Sequence, residues 1–165
     1  MIVVVMGVSG SGKSTIGKLL AERTGATFAD ADDFHPAANK AKMAAGHPLD
    51  DADRQPWLET LNALLRKWND EHSSGVLACS ALKDTYRHTL AAGMPEGAVT
   101  FCLLDLPREL LQQRLAARHH EFMTPALLDS QLATLEAPLD ALVVKNDRDP
   151  NAVVAEIIQR IHSTK

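Results

Sequence analysis

The segment Gly7-Val8-Ser9-Gly10-Ser11-Gly12-Lys13-Ser14 constrains this 165-residue chain more than any other. It meets the spacing G-x-x-x-x-G-K-[S/T] at every fixed position, and its flanks suit that spacing. The apolar residues before it, Ile2 to Met6, predict a buried strand, and Ile16, Leu19, Leu20 and Arg23 continue a helix opened by Lys13. A strand that turns through glycines into a helix aims several backbone N–H groups at one point, and the helix N-terminus adds partial positive charge. Residues Gly7 through Thr15 are therefore expected to cradle the phosphates of a nucleoside triphosphate. Lys13 is expected to reach the β- and γ-phosphates, and Ser14 to offer its hydroxyl to Mg²⁺. A Gly/Ser-rich turn with no ligand is the plainer reading, and the strand–loop–helix setting argues against it. The motif indicates the nucleotide and not the reaction, because GTPases, ATPase motors and small-molecule kinases share it. The short chain favours a small-molecule kinase.

Further apolar runs recur at Val76 to Cys79, Val99 to Leu104 and Leu142 to Val144, with a weaker one at Thr27 to Asp30. None alternates in and out, which predicts strands buried on both faces of a parallel sheet. Helical spacing joins Trp57, Leu58, Leu61, Leu64, Leu65 and Trp68, then Leu110, Leu111 and Leu115, then Leu127, Leu128 and Leu132. A last set is Val153, Val154, Ile157, Ile158 and Ile161. Strands alternating with helices predict an α/β fold of three layers with right-handed crossovers, and the length fits a single domain over 1–165. The longest break, 34–56, is rich in Pro, Asp, His and Ala. It is expected to be an irregular, substrate-binding segment.

A net charge of −4 with no dense basic run argues against nucleic acid or an anionic membrane as the main partner. The apolar N-terminus is too short to span a bilayer and lacks the basic start of a signal peptide. Cys79 and Cys102 fall in apolar runs and read as core thiols of a cytoplasmic protein, not as a disulfide framework.

Asp30, Asp32 and Asp33 follow the second expected strand, where an open parallel sheet presents its ligand crevice. Asp32 is the candidate base or orienter of an attacking hydroxyl, and Asp30 the candidate second-shell partner of Mg²⁺. Asp33 better fits a capping role, and a solvated acidic turn is the alternative for the whole group. His35, Asn39, Lys42 and Arg54 offer a polyhydroxylated, anionic substrate both cations and neutral hydrogen-bonding groups. Ser80, Lys83 and Arg87 begin where the third strand ends, beside the same crevice. Arg114 and Arg118 lie four apart on one expected helix face and suit a lid over about 114–136 that neutralises the γ-phosphate. An exposed basic face is the alternative. His119 and His120 point apart and read as lid surface, while Trp57 and Trp68 read as packing groups.

Together these blocks extend beyond a generic phosphate loop. Gly7 to Thr15, Asp30-Ala-Asp-Asp-Phe-His-Pro36, Asn39 with Lys42-Met43, Gly46-His-Pro-Leu49 and Asp51-Ala-Asp-Arg-Gln-Pro-Trp-Leu58 run in order. Cys79-Ser-Ala-Leu-Lys83, Tyr86-Arg87, Arg114 to Arg118, Leu128, Ser130-Gln131 and Thr134-Leu-Glu-Ala-Pro138 complete the series. This series resembles the gluconate kinase (gluconokinase) family. The resemblance implies transfer of the ATP γ-phosphate to the 6-hydroxyl of D-gluconate, giving 6-phosphogluconate. It further implies a nucleoside-monophosphate-kinase-like P-loop fold, a five-stranded parallel sheet in the order 2-3-1-4-5, and often a homodimer. A shikimate-type or nucleotide kinase is the first rival. Shikimate kinase calls for a Gly-rich element after the third strand, where this chain has Ser80-Ala-Leu-Lys83. A non-catalytic nucleotide sensor is the second rival, and the presence of Lys13, Asp32 and the two arginines weighs against it.

Overall fold

The five residues of β1 (Ile2–Met6) are all buried, and the remaining architecture follows from satisfying this strand on every side. The structure, a computed structural model, describes residues 1–117, 125–138 and 140–163. β1 pairs in parallel with β3 (Gly75–Ala78) on one edge and with β4 (Thr100–Asp105) on the other. β2 (Thr27–Asp30) and β5 (Leu142–Lys145) extend the sheet outwards to the order β2-β3-β1-β4-β5. The five parallel strands and their order agree with expectation.

Alternate residues of β1 feed two cores. Ile2, Val4 and Met6 pack with Trp57, Leu58, Leu61, Leu65 and Trp68 of α3 (Asp51–Asp70) and with Tyr86 and Leu90 of α4 (Asp84–Ala91). Val3 and Val5 face Ile16, Leu20 and Ala21 of α1 (Lys13–Thr24) and Val153, Val154, Ile157 and Ile161 of α7 (Pro150–Ser163). A third cluster, under the phosphate loop, joins Val8 to Leu111 and Leu115 of α5 (Arg108–Ala117) and Leu128 of α6 (Pro125–Thr134). Both sheet faces are thus covered, which is why the central strands are apolar without alternation. Among the described residues, no helix is long and apolar enough to cross a membrane.

Two expectations need correction. The edge strands are not buried on both faces: β2 is half-exposed, and Val143 in β5 stands 43% exposed, because an edge strand has a neighbour on one side only. Residues 34–56 are also not mainly irregular. Ala31–Phe34 forms a 3₁₀ turn, α2 spans Ala37–Ala44, and α3 begins at Asp51. Asp50 caps α3 by accepting from the Asp53 N–H at 2.7 Å, while the Asp53 carboxylate accepts from the Asp50 N–H at 3.0 Å. This reciprocal box starts the helix ahead of Pro56, whose missing N–H would otherwise mark a break.

Gly75 shows how closely β3 and α3 approach. A Cβ at this position would overlap the six-membered ring of Trp68, itself 6% exposed in the core. Gly75→Ala should therefore destabilise the protein by about 1–3 kcal/mol through overpacking, read from urea unfolding. An unchanged midpoint would mean that Trp68 shifts freely and that this contact does not set the spacing.

Candidate active site

The C-terminal ends of β1, β2 and β3 converge on one crevice, and each delivers a chemically distinct group. From β1 comes the glycine loop. Gly10 and Gly12 adopt φ of 84° and 92°, a left-handed backbone that side chains resist, and Gly12 sits at the N-terminus of α1. A Cβ on Gly12 would overlap the side-chain amide of Asn146, so space and conformation both demand glycine there. Asn146, just past β5 and 5% exposed, donates from Nδ2 to the Ser11 carbonyl at 2.7 Å. Its own carbonyl accepts from Arg114 Nη2 at 2.7 Å. The Ser11 carbonyl of the loop is thereby held. The Gly7 N–H bonds the Ser80 carbonyl at 3.3 Å, which couples the loop to the end of β3. Lys13 Nζ donates to the Val8 carbonyl at 3.0 Å. The Ser9 N–H donates to Gln131 Oε1 of α6 at 2.8 Å.

From β2 comes Asp30. Its Oδ2 accepts from Ser14 Oγ at 2.9 Å and its Oδ1 from the Asp32 N–H at 3.0 Å, so one carboxylate joins the loop helix to the acidic turn. A hydroxyl beside a carboxylate is a donor set suited to a hard cation such as Mg²⁺. Among the described residues no three His, Cys, Asp or Glu side chains converge on one point. A Mg²⁺ at Ser14 would accordingly take most of its oxygens from phosphate and water. The Asp32 side chain is open to solvent at the mouth of the crevice, yet the surrounding protein displaces enough water to push its carboxyl above the usual range. The charge of Asp30 adds to the effect, against opposition from Lys13 and His35.

A second group of candidate side chains comes from α2, α3 and the turn after β3. His35 stacks on Trp57 with ring centroids 4.2 Å apart and planes within 13°. Burial lowers the pKa of its imidazole. Lys42 bonds Asp53 at 2.6 Å, tying α2 to α3. Arg54 donates to the Tyr86 hydroxyl at 3.1 Å, which in turn donates to Asp51 at 2.6 Å. Lys83 lies 3.3 Å from both Asp51 oxygens. The Tyr86 hydroxyl first, and Lys83 next, hold the Asp51 carboxyl below the usual range. Arg54, Lys83, Tyr86 and Asp51 thus form one polar knot.

The expected site residues do not all share this surface. Asn39 is buried at 4% exposure, with its amide nitrogen bonded inside the protein. Arg87 is equally buried. It donates to the carbonyls of Ala81 and Leu82 at 2.8 and 3.3 Å and to that of Glu136 at 2.8 Å. These bonds make Arg87 an internal clamp, in correction of its expected place among the substrate ligands. Arg118, His119 and His120 lie outside the described residues. Asn146, Gln131, Tyr86 and Asp51 entered the site unforeseen. An asparagine directly after the last strand was the available signal for the first, and the rest depend on tertiary contact.

This arrangement defines a P-loop kinase: a glycine loop on the central strand, a carboxylate beside the Ser14 hydroxyl, and the cations Arg54 and Lys83 gathered on Asp51. A model of the shikimate kinase family matches residues 9–162. A probable gluconokinase from Xenopus tropicalis is 43% identical to the chain, covering 95% of it and 91% of the relative. The gluconokinase of Gluconobacter oxydans is 42% identical over 97% and 90% respectively. The crystal structure of a gluconokinase from Sinorhizobium meliloti superimposes with a TM-score of 0.87 at 37% identity, covering 99% of this chain and 92% of that one. The chain belongs to the gluconokinase family, within the wider group that the shikimate kinase model describes.

Two predictions come from this geometry. Asn146→Leu removes the support under Ser11 and should raise the KM for ATP about tenfold or more while the far-ultraviolet circular dichroism is retained. A normal KM would show that the loop holds its shape alone. The second concerns pH. A carboxyl raised in the folded state is charged less readily there than in the unfolded chain, so its ionisation opposes folding as pH rises through the folded value. Asp32→Asn should hence raise the urea midpoint at neutral pH, with the gain vanishing below the ordinary value of 3.8. A midpoint unchanged at neutral pH would contradict this sign.

Proposed function

We propose that the chain transfers the γ-phosphoryl group of ATP to the 6-hydroxyl of D-gluconate, giving 6-phospho-D-gluconate and ADP. The observation that carries this acceptor is the likeness to gluconokinases over nine-tenths or more of both chains. Family membership makes the protein a kinase, and the residue roles below are our reading of its site.

In that reading the phosphates lie along Gly7 to Thr15 and bind the loop N–H groups other than those that Ser80, Val8 and Gln131 hold. Lys13 exchanges the Val8 carbonyl for phosphate oxygens, and its charge follows the transferring group. Bound Mg²⁺, held at Ser14 with Asp30 behind it, would neutralise phosphate charge. Asp32 orients the 6-hydroxyl and takes its proton as the new O–P bond forms and the bond to the β-phosphate oxygen breaks. Its raised pKa makes it a better base than a free carboxylate. Because such transition states are loose, alignment contributes more than base strength. Across the crevice, Arg54 and Lys83 attract the gluconate carboxylate, with Asp51 as its competitor. Ser80 and His35 meet hydroxyl groups, and Lys42 acts from behind through Asp53. Arg114, already against the phosphate loop, and Arg118 belong to a lid over about 114–136 that excludes water from the transfer. The buried thiols of Cys79 and Cys102, the latter pushed up to about 12 by burial, suit the cytoplasm.

An ADP-release assay with Mg²⁺ and ATP against gluconate, related sugar acids, shikimate and nucleoside monophosphates tests the acceptor. Selective turnover of gluconate is expected, and preferential turnover of shikimate would favour the literal name of the family model instead. In the same assay Lys13→Ala should lower kcat by at least about 100-fold with the fold intact. Asp32→Asn should lower it by about 100-fold with the ATP KM held. A collapse of ATP affinity with kcat preserved would move Asp32 out of the acceptor role.

A further inference from the structure

We infer that Asn39 acts as a positioning residue that sets the tautomer of His35, so that the ring meets the acceptor as a neutral Nε2–H donor. The inference deepens the gluconate reading and rests on it for the acceptor's identity.

Asn39 Nδ2 lies 2.9 Å from the carbonyl oxygen of Asp53. A carbonyl can only accept, so this contact fixes which end of the amide is nitrogen. The same NH₂ group lies 3.2 Å from His35 Nδ1 and presents its second hydrogen there. An N–H facing Nδ1 requires a lone pair on that atom. A neutral imidazole with Nδ1 as acceptor carries its proton on Nε2. Rotating the ring by half a turn would set a carbon against Asn39 and leave a buried donor unpaired, at a cost of about 1–3 kcal/mol.

The ring has little freedom to escape this assignment. It stacks on Trp57, whose own Nε1 is pinned to the Ala31 carbonyl at 2.7 Å, and it sits between the 3₁₀ turn and Pro36. The charged groups around it do not overturn the neutral form. Asp32 favours an imidazolium, while Arg54 of α3 and Lys40 of α2 oppose it, as does burial. An imidazolium would also place the Nδ1 hydrogen against the Asn39 hydrogen, donor against donor. Nε2, in contrast, has no hydrogen-bond partner among the described residues and lies on a half-buried ring beside Asp32. It is therefore free to donate to a hydroxyl oxygen of a polyol. Fixing the tautomer in advance turns an ambiguous ring into a donor of one sense, and this is the kind of selectivity a polyhydroxylated acceptor needs.

The first measurement is long-range ¹H–¹⁵N correlation on the full chain. The His35 signal is assigned among the seven histidines by its loss in His35→Gln. At about pH 8 the neutral ring should show an unprotonated Nδ1 and a protonated Nε2. A protonated Nδ1 overturns the proposal without recourse to any Asn39 variant. The second measurement uses Asn39→Asp, whose carboxylate only accepts. It should move the neutral proton to Nδ1, strip Nε2 of its donor, and favour the imidazolium. The gluconate KM should then rise roughly three- to tenfold near pH 8, with the ATP KM held. It should fall back towards the wild-type value as the pH is lowered and Nε2 regains its proton. An equal loss at every pH would indicate mere structural damage and reject the positioning role, as would an unchanged KM. If Asn39→Asp does not fold, the tautomer in the wild-type chain decides alone. Failure of the wild type to phosphorylate gluconate would reject the acceptor and leave the tautomer measurement standing.

Discussion

A phosphate loop must hold a tightly turned backbone in one shape at the head of a helix, and that requirement governs how the rest of this molecule is arranged. Gly7, Val8 and Gly10 to Gly12 are buried, and buried backbone is unstable unless its polar groups are held. Here the holding comes from residues distant in sequence: Asn146 under the Ser11 carbonyl, Arg114 under Asn146, and the Ser80 carbonyl against the Gly7 N–H. Each sits at or beyond the C-terminal end of β5, in α5, or at the end of β3. The parallel order β2-β3-β1-β4-β5 brings these ends to one side of the sheet. The fully apolar β1 keeps the loop's first glycine in register between two neighbours. Sheet order and loop geometry are therefore one problem with one solution.

Charge is organised around this loop in two opposing groups. Asp30 and Asp32 stand near Lys13, and displaced water, helped by the charge of Asp30 and opposed by that of Lys13, raises the Asp32 carboxyl. At the turn after β3, Lys83 bonds Asp51 directly, while Arg54 reaches it through the Tyr86 hydroxyl. These are partly exposed pairs, individually weak in water. What they supply is arrangement: one carboxylate keeps two cations side by side at the turn after β3.

The sequence revealed the loop, the parallel α/β class and the acidic turn because each is a local pattern. Glycine spacing, unbroken apolar runs and aspartates after a strand need no partner to be recognised. Sheet order came only from family likeness, since nothing in an apolar run states its neighbour. The edge strands misled for the same reason, as Leu142 to Val144 looks as apolar as a central strand. Residues 34–56 looked irregular because Pro56 obscured a helix whose capping box, Asp50 with Asp53, lies just upstream. Polar residues were the hardest to place. Asn39 and Arg87 resemble surface ligands as letters in a sequence, yet both are buried and bonded to main-chain carbonyls. Tyr86 and Gln131 gained their positions solely through tertiary contact.

Arg87 shows how the two halves of the site are joined. The turn from Ser80 to Lys83 touches the phosphate loop at one end, through Gly7, and the acceptor knot at the other, through Asp51. Arg87 reaches back from α4 into this turn, to Ala81 and Leu82, and outwards to the Glu136 carbonyl. Glu136 answers with its own N–H to the Leu82 carbonyl at 2.8 Å, while its carboxylate accepts from the Asp84 N–H at 2.8 Å. The segment after α6 is thereby sewn to the turn, and Gln131 carries the same connection to Ser9 of the loop. Three carbonyls approached from different directions need the planar fork of a guanidinium, which a lysine's single ammonium cannot match. A cation at this buried place thus serves geometry before charge, fixing the distance between the glycine loop and the knot of Arg54, Lys83, Tyr86 and Asp51.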